Sequence, residues 1–491
     1  MLNLHNILAW LPNSSIANPQ AVVDSGLVCL SVSTDSRNIP EKALFIALKG
    51  DSFDAHDYLA QVADKGACAA LVSRSWLNQQ TDLIQFNMMA LIAVDDTLLA
   101  LQTLAKAHRA QFELPLAVVV GSNGKTSVTQ MIRSIFQCHS DSLAKPNAAH
   151  STDGNFNNHI GLPLTLLKLK KHHLYSVVEL GMNHPGETAL LAPIAAPTIA
   201  LINNAQREHQ EFMHTVEAVA HEHGAVLKTL PTNGIAVIPA YDEYAALWRG
   251  VAGARKIIDF ALETDSTEPS NAVVKGRLIA VTPAQKIAIT TPVGSFEVTL
   301  QIAGEHQARN ALAACAVGLA AGVPLASIAQ GLSSFTPAKG RMQEHLLHMD
   351  GARVRIIDDS YNANPDSVDA AIRVLANTGK NSMLILGDMG EVGEQGSMFH
   401  TLAGEHAARA GVGQLYTVGS LSRYSNTAFL ASIRWAQHFE SHELLAQFLS
   451  QLKFDDGAVV LIKGSRFMTM EKALNVLVSR NDSSKLALAG K

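Results

Sequence analysis

Six consecutive residues, Gly121-Ser122-Asn123-Gly124-Lys125-Thr126, stand between an apolar run, Leu116–Gly121, and a stretch with helical spacing. A strand-to-helix turn of this kind presents backbone N–H groups and a helix N-terminus to phosphates. The Lys125 amine is placed to reach β/γ-phosphates, and the Thr126 hydroxyl to ligate Mg²⁺. The usual pattern has glycine five residues before Gly124, where this chain carries Val119, so the loop is a shortened variant. The chemistry it points to is binding of a nucleoside triphosphate with its cation.

Glu179 closes a second apolar run, Tyr175-Ser-Val-Val-Glu. A carboxylate at the carboxyl end of a parallel strand, beside a phosphate loop, is where a Mg²⁺ ligand or a base belongs. The bland alternative is a strand-end glutamate facing solvent. A third run, Thr198–Ile202, ends in Asn203-Asn204, with His209 and Glu211 just after. Of the clustered His209, His214, His221 and His223, only His209 stands out by position. The others read as surface or locally satisfied, and no HExxH zinc motif occurs.

Three later motifs gather polar groups near strand ends: Gly340-Arg341, Asp358-Asp359-Ser360-Tyr361-Asn362-Ala363-Asn364-Pro365, and Lys463-Gly464-Ser465-Arg466. Carboxylates there can hold ribose hydroxyls or a metal, and arginine can bind phosphate. Each could also merely cap a helix. As a set they favour a site shared between domains.

The elements that must position these groups alternate strand with helix, the signature of α/β architecture. Strands are predicted at 43–48, 69–72, 116–121, 176–180, 198–202 and 234–238, then at 353–357, 383–386, 415–418 and 458–462. A helix is expected near 97–111. Another follows the phosphate loop, with Val128, Met131, Ile135 and Phe136 on one face. Residues 255–302 read as a β-rich excursion. The charge-free stretch 310–338 reads as a buried helix, a turn and a second helix. The tail after Ser479 is expected to fray.

The chain has 491 residues, about three domains by length, and its formal net charge is −5. That balance offers no basic footprint for nucleic acid. Charged residues make up 16% and hydrophobic ones 47%, so the chain can bury several cores. Four scattered cysteines provide neither a disulfide framework nor a thiolate zinc site, which fits a reducing compartment. No Lys or Arg precedes Arg37, so the N-terminus lacks the charged region of a signal peptide.

Together these residues resemble the Mur ligase family, over nearly the whole chain from Asp35-Ser36-Arg37 to Lys463-Gly464-Ser465. The motifs shared with the family are GSNGKTS at 121–127, the Glu179 strand, GEHQARNALAA at 304–314 and the pair Gly340-Arg341. FDAHDY at 53–58, TDGNFNNHIGLP at 152–163, DDSYNANPDS at 358–367 and GDMGEVGEQG at 387–396 resemble the branch that adds a D-alanyl-D-alanine dipeptide. The Asn-Pro-Arg of the sibling branch that adds the third peptide residue does not occur.

The resemblance implies an α/β fold of three domains. Residues 1–112 would bind the UDP substrate, 113–336 would form a central P-loop ATPase with a parallel or mixed sheet, and 337–491 a Rossmann-like domain. It implies an ATP- and Mg²⁺-dependent amide ligase joining D-alanyl-D-alanine to UDP-N-acetylmuramoyl-tripeptide through an acyl phosphate and a tetrahedral intermediate. The catalytic residues would be Lys125, Glu179 and His209, with Thr126, Glu179 and His209 on the metal. ATP would contact Gly121, Ser122, Asn123, Gly124, Lys125, Thr126 and Ser127. Asn310 would meet adenine, Arg341 and Asp359 phosphate and ribose, with Tyr361 and Asn362 nearby. Ser36, Arg37, Thr152, Asn155 and Asn158 would hold the UDP-muramoyl substrate, and Lys463 and Ser465 are further candidates. The protein would be a cytoplasmic monomer with no membrane span and no nucleic-acid partner.

One departure stands out. The family places a carbamylated lysine after the magnesium histidine, whereas this chain reads Val219-Ala220-His221-Glu222-His223-Gly224, with no lysine before Lys228. The bridging anion is then absent or replaced, with Glu222, His223 or water filling the gap, or with both side chains facing solvent and a single Mg²⁺ sufficing. Rivals from other classes are a P-loop kinase or GTPase, which would not need the second set of strand-end motifs, and a silent nucleotide-binding scaffold. A GTPase would also carry NKxD, which is absent.

Overall fold

Three large β-sheets flanked by helices, with a small two-stranded sheet of Leu2–Asn3 and Val28–Cys29 beside the first, follow one another along the chain in a computed structural model that describes residues 2–21, 26–280, 285–432 and 434–481. The first has five strands in the order Ser15–Ile16, Ala90–Val94, Ala69–Ser73, Ala43–Ile46 and Ser31–Ser33. Its interior strands are continuous apolar runs, as sheets covered on both faces require. The predicted helix forms over Thr97–Arg109.

The second sheet has nine strands. Leu116–Val120 lies between Tyr175–Glu179 and Ile199–Ile202, with both pairings parallel. Successive connections leave this strand on opposite sides, which makes its carboxyl end a topological switch point, the usual place for a ligand crevice. Val128, Met131, Ile135 and Phe136 of the following helix, Lys125–Ser142, are fully buried against it. Residues 255–302 are not a separate excursion. Lys256–Leu262 continues the parallel sheet, and Val274–Ala280, Gln285–Thr291 and Gly294–Leu300 extend it as an antiparallel meander. Their alternating apolar residues cover the helix Glu305–Ala320, so the excursion and the core are one layer. The charge-free stretch forms that helix's buried body, a turn, and Leu325–Ser333.

The third sheet has six strands, with Ala458–Lys463 between Ala352–Asp359 and Ser382–Gly387. Parallel register sets Asp359 beside Lys463. Two of its strands, Gln343–Met349 and Trp435–Phe439, were not among those expected. Both lie at the sheet's edges, and neither is a continuous apolar run. Of the tail expected to fray, residues 482–491 lie outside the described residues.

The cysteines are all thiols, although Cys29 and Cys68, distant in sequence, bring their sulfurs to 3.5 Å. Among the described residues no helix is long and apolar enough to cross a membrane.

Candidate active site

The loop after Val120 is shaped by its glycines. Gly121 and Gly124 have φ of 142° and 81°, which residues with a Cβ rarely adopt. A Cβ on Gly124 would also lie 2.6 Å from Asn310 Oδ1. Gly124 is the N-cap of Lys125–Ser142 and has no side chain to cap it, so the first-turn amides have no side-chain cap. Asn203 and Asn204, at the end of the next strand, brace the loop from below. Asn203 Nδ2 donates to Asn123 O (2.8 Å) and to Asn310 Oδ1 (2.9 Å), and Asn123 N donates to Asn204 Oδ1 (2.9 Å). Asn310 Nδ2 donates to Gln307 Oε1 (3.0 Å), so its amide is engaged beneath the loop.

Lys125 is folded back. Its Nζ donates to Gly121 O (2.5 Å) and lies 3.3 Å from Glu208 Oε2. Glu208 is 4% exposed, and its other oxygen accepts from His223 Nε2 at 2.9 Å. Burial alone would raise this carboxyl's pKa, but Lys125, His223 and His209 outweigh it and hold the value at about 2. The His209 ring sits between two carboxylates: Nδ1 is 2.5 Å from Glu391 Oε2, and Nε2 is 3.8 Å from Glu208 Oε2.

Glu179 is 2% exposed. Its Oε1 accepts from Asn157 Nδ2 (2.8 Å), while Oε2 is buried with no partner. Thr152 and Asn158 are used locally: Thr152 Oγ1 accepts from Glu179 N (3.0 Å), and Asn158 Oδ1 from Gly161 N (2.8 Å).

The third sheet supplies the opposite wall. Lys463 Nζ lies 2.5 Å from Asp359 Oδ2 and donates to Asn362 O (3.0 Å). Burial raises the Asp359 pKa, against the pull of Lys463 and Arg341. The Arg341 guanidinium lies 4.1 Å from the centre of the Tyr361 ring, a stacked cation–π contact. Ser465 is a tie: its hydroxyl donates to Ala363 O (2.9 Å) and accepts from Gly390 N (2.7 Å), locking the 387–396 segment to 358–367.

Between these walls lies a cavity of about 1120 Å³. It brings together most of the expected residues: Ser122–Ser127 of the phosphate loop, Asn155, Asn158, Glu179, His209, Asn310, Arg341, Asp359, Tyr361, Asn362, Lys463 and Ser465. It does not reach Ser36, Arg37, Gly121 or Thr152. Arg37 is paired with Asp35 at 2.9 Å, its side chain 87% exposed on the first domain.

Several cavity residues were missed. Glu208 and Asn157 have no local signature, since their importance comes from partners distant in sequence. His223, read as surface or locally satisfied, is the latter: it is 1% exposed and its Nε2 is bonded to Glu208. Glu222 was expected to reach the metal site, but both its oxygens accept from Gly186 N and Thr188 N at the start of the helix Glu187–Ala195. Neither Glu222 nor His223 lines the cavity, so neither replaces the missing anion directly.

A phosphate loop at one switch point, facing the polar ends of a second parallel sheet across one cavity, defines a nucleotide-site α/β protein whose site is assembled from two domains. Family models agree along the chain: the Mur ligase family catalytic domain matches residues 30–109, the Mur ligase middle domain 119–318, and the Mur ligase glutamate ligase domain 340–466. The chain belongs to the Mur ligase family. It is 36% identical to the UDP-N-acetylmuramoyl-tripeptide–D-alanyl-D-alanine ligase of Escherichia coli, over 91% of this chain and 93% of that one. A crystal structure of MurF from Acinetobacter baumannii superposes with a TM-score of 0.79 at 31% identity, covering 91% and 93% of the two chains. MurF of Thermotoga maritima, solved in complex with ADP, shares the fold with a TM-score of 0.75 at 24% identity, over 92% and 97%.

Proposed function

We infer that this protein joins D-alanyl-D-alanine to UDP-N-acetylmuramoyl-tripeptide at the expense of ATP, giving the UDP-linked pentapeptide used in peptidoglycan synthesis, with ADP and phosphate. The observation that carries this reading is the single cavity in which the phosphate loop faces Arg341, Asp359 and Lys463. A carboxylate and an amine do not condense in water at useful rates, so the carboxylate must first acquire a leaving group. Its oxygen attacks the γ-phosphorus, the bond to ADP breaks, and an acyl phosphate forms. The dipeptide amine then attacks the acyl carbon, and the tetrahedral intermediate collapses with loss of phosphate.

The chain's own part is to hold anions together and exclude water. In this reading Lys125 turns from Gly121 O towards the phosphates, and the uncapped amides of residues 124–127 receive phosphate oxygens. Arg341 and Asp359 hold the nucleotide from the third domain, and Asn155 and Asn158 face the muramoyl substrate. Ser36 and Arg37 would hold the uridine end beyond the cavity. Mg²⁺ fits the donors present: Glu179 Oε2 is a buried, unpartnered carboxylate oxygen, and Thr126 and His209 line the same cavity. Among the described residues no three acidic, His or Cys side chains form a ready-made cluster, as suits an ion held by one or two carboxylates plus phosphates. Bound there, Mg²⁺ would neutralise phosphate charge.

The domain limits that accompany this reading are 1–112 for the uridine end, 113–336 for ATP and 337–491 for ATP and dipeptide. The protein would act in the cytoplasm as a monomer and serve cell-wall growth, shape and division. The test is ATP-dependent phosphate release with UDP-N-acetylmuramoyl-tripeptide, with and without D-alanyl-D-alanine. Release that needs the dipeptide supports the reading; release driven instead by a free amino acid overturns it.

A further inference from the structure

Glu208 is the one carboxylate in the cavity whose charge depends on the phosphate-loop lysine. It is buried, and Oε2 faces Lys125 Nζ at 3.3 Å and His209 Nε2 at 3.8 Å. Its other oxygen is fixed by His223, whose Nδ1 is buried with no partner, so the imidazole proton sits on Nε2 and is donated to Glu208. The pair is therefore a carboxylate with one oxygen tethered and one facing the cavity.

The proposed function changes its balance. When Lys125 moves to nucleotide phosphates, Glu208 loses its lysine partner while still buried, an arrangement disfavoured for a buried charge. A cation must arrive with the nucleotide to restore neutrality. We propose that Glu208 is a ligand for the divalent cation that enters with the nucleotide, that His223 positions it, and that Lys125 holds the place in the nucleotide-free protein. Glu179 gives independent support: it is a second buried carboxylate in the same cavity, with Oε2 unpartnered. Hard oxygen donors of this kind suit Mg²⁺ or Mn²⁺. His209 Nε2 lies near enough to Glu208 Oε2 for both to reach one ion. The carboxylate that sequence reasoning sought at Glu222 is thus supplied by Glu208, from a different segment.

This inference rests on the nucleotide reading, and the experiment separates the two. Full-length protein and Glu208→Gln are titrated with a fluorescent ADP in EDTA, and the ADP complexes then with Mn²⁺, followed by electron paramagnetic resonance. The wild type should bind ADP without metal. Glu208→Gln should bind it as tightly or more tightly, since Lys125 is released, yet bind Mn²⁺ at least tenfold more weakly. A merely structural role would not move the two affinities in opposite directions. His223→Gln, which keeps the carboxylate but loosens it, should lose several-fold in Mn²⁺ affinity. Unchanged Mn²⁺ affinity in either folded variant overturns the proposal. If the wild type fails to bind ADP, the functional reading falls and the proposal with it.

Discussion

Asn123 of the phosphate loop and Asn364, 241 residues later, exchange side-chain amide hydrogen bonds: Asn364 Nδ2 donates to Asn123 Oδ1 at 2.9 Å, and Asn123 Nδ2 to Asn364 Oδ1 at 3.3 Å. Asn364 is also the N-cap of Pro365–Ala376, so the third domain's helix starts against the second domain's loop. Two residues on, Asp366 accepts from the Arg207 backbone N (2.8 Å) and pairs with its guanidinium (2.6 Å). Glu391 reaches His209 from the same side. The segment 207–209 thus carries both the cavity's charges and the contacts between domains.

Breaking these contacts should open the protein. A single half-buried ion pair contributes only about 1 kcal/mol, so Arg207→Ala should alter the melting temperature little. Combined with Asn364→Ala, it should enlarge the radius of gyration of the ligand-free protein in small-angle scattering. Wild type and double variant should then converge with both substrates and a non-hydrolysable ATP analogue. Equal radii before ligand is added would show that these contacts do not hold the domains.

Lys125→Ala should abolish turnover, since removing a transition-state charge contact costs about 3–4 kcal/mol. It should also destabilise the protein, because Glu208 is left buried without its lysine partner. Adding Glu208→Gln should recover part of the stability without restoring kcat. Additive melting-temperature losses in the double variant would mean that the two side chains are not coupled.

Asn310 provides a sharper test of nucleotide recognition. If it met adenine, Asn310→Ala would alter the preference for ATP over GTP. Its amide instead engages Asn203 and Gln307 beneath Gly124, so the variant should weaken both nucleotides by the same factor. Competition binding of the two nucleotides reads this directly, and a selective loss of ATP would refute the bracing role.

His150 sets a pH dependence of stability. Burial lowers its pKa to about 3, with His173 adding to the effect, and Nδ1 pairs with Ser176 Oγ at 2.9 Å. An unfolded histidine titrates near 6.5. Between these values the unfolded chain binds the extra proton, so stability is full above pH 6.5 and falls as pH drops towards 3. The slope from this one group is at most about 1.4 kcal/mol per pH unit. His150→Gln should flatten the urea-unfolding profile between pH 6.5 and 4; an unchanged slope would assign it to other groups, His173 first among them.

Most central strands were legible because they are apolar runs bounded by turns, although the interior run Ala90–Val94 was not among those expected, and the phosphate loop was legible because its glycines carry a backbone requirement. The edge strands Gln343–Met349 and Trp435–Phe439 escaped because each mixes polar with apolar residues and neither is a continuous apolar run. Glu208 escaped for another reason. Nothing between Arg207 and His209 shows that the middle residue turns inward. Its burial is stabilised by Lys125, 83 positions before it, and by His223, on a separate helix that follows. Local pattern reveals what a segment will form, but a buried charge is defined by partners that only the fold brings near.

The missing lysine leads to the last prediction. A carbamate needs a neutral lysine amine and CO₂, and residues 219–227 contain no lysine. Lys228 is exposed in the last turn of its helix. The two lysines that line the cavity, Lys125 and Lys463, are each engaged by a carboxylate, at 3.3 and 2.5 Å. Glu208 already brings a fixed negative charge that does not depend on dissolved gas. Turnover in degassed, bicarbonate-free buffer should therefore equal turnover with bicarbonate added. Glu222→Ala tests the same point from the other side. It removes the acceptor for Gly186 N and Thr188 N, so it should cost about 1 kcal/mol of stability, as loss of a helix cap does, while kcat is kept. Strong activation by bicarbonate would mean that a lysine amine does carry a carbamate and that Glu208 does not supply the charge.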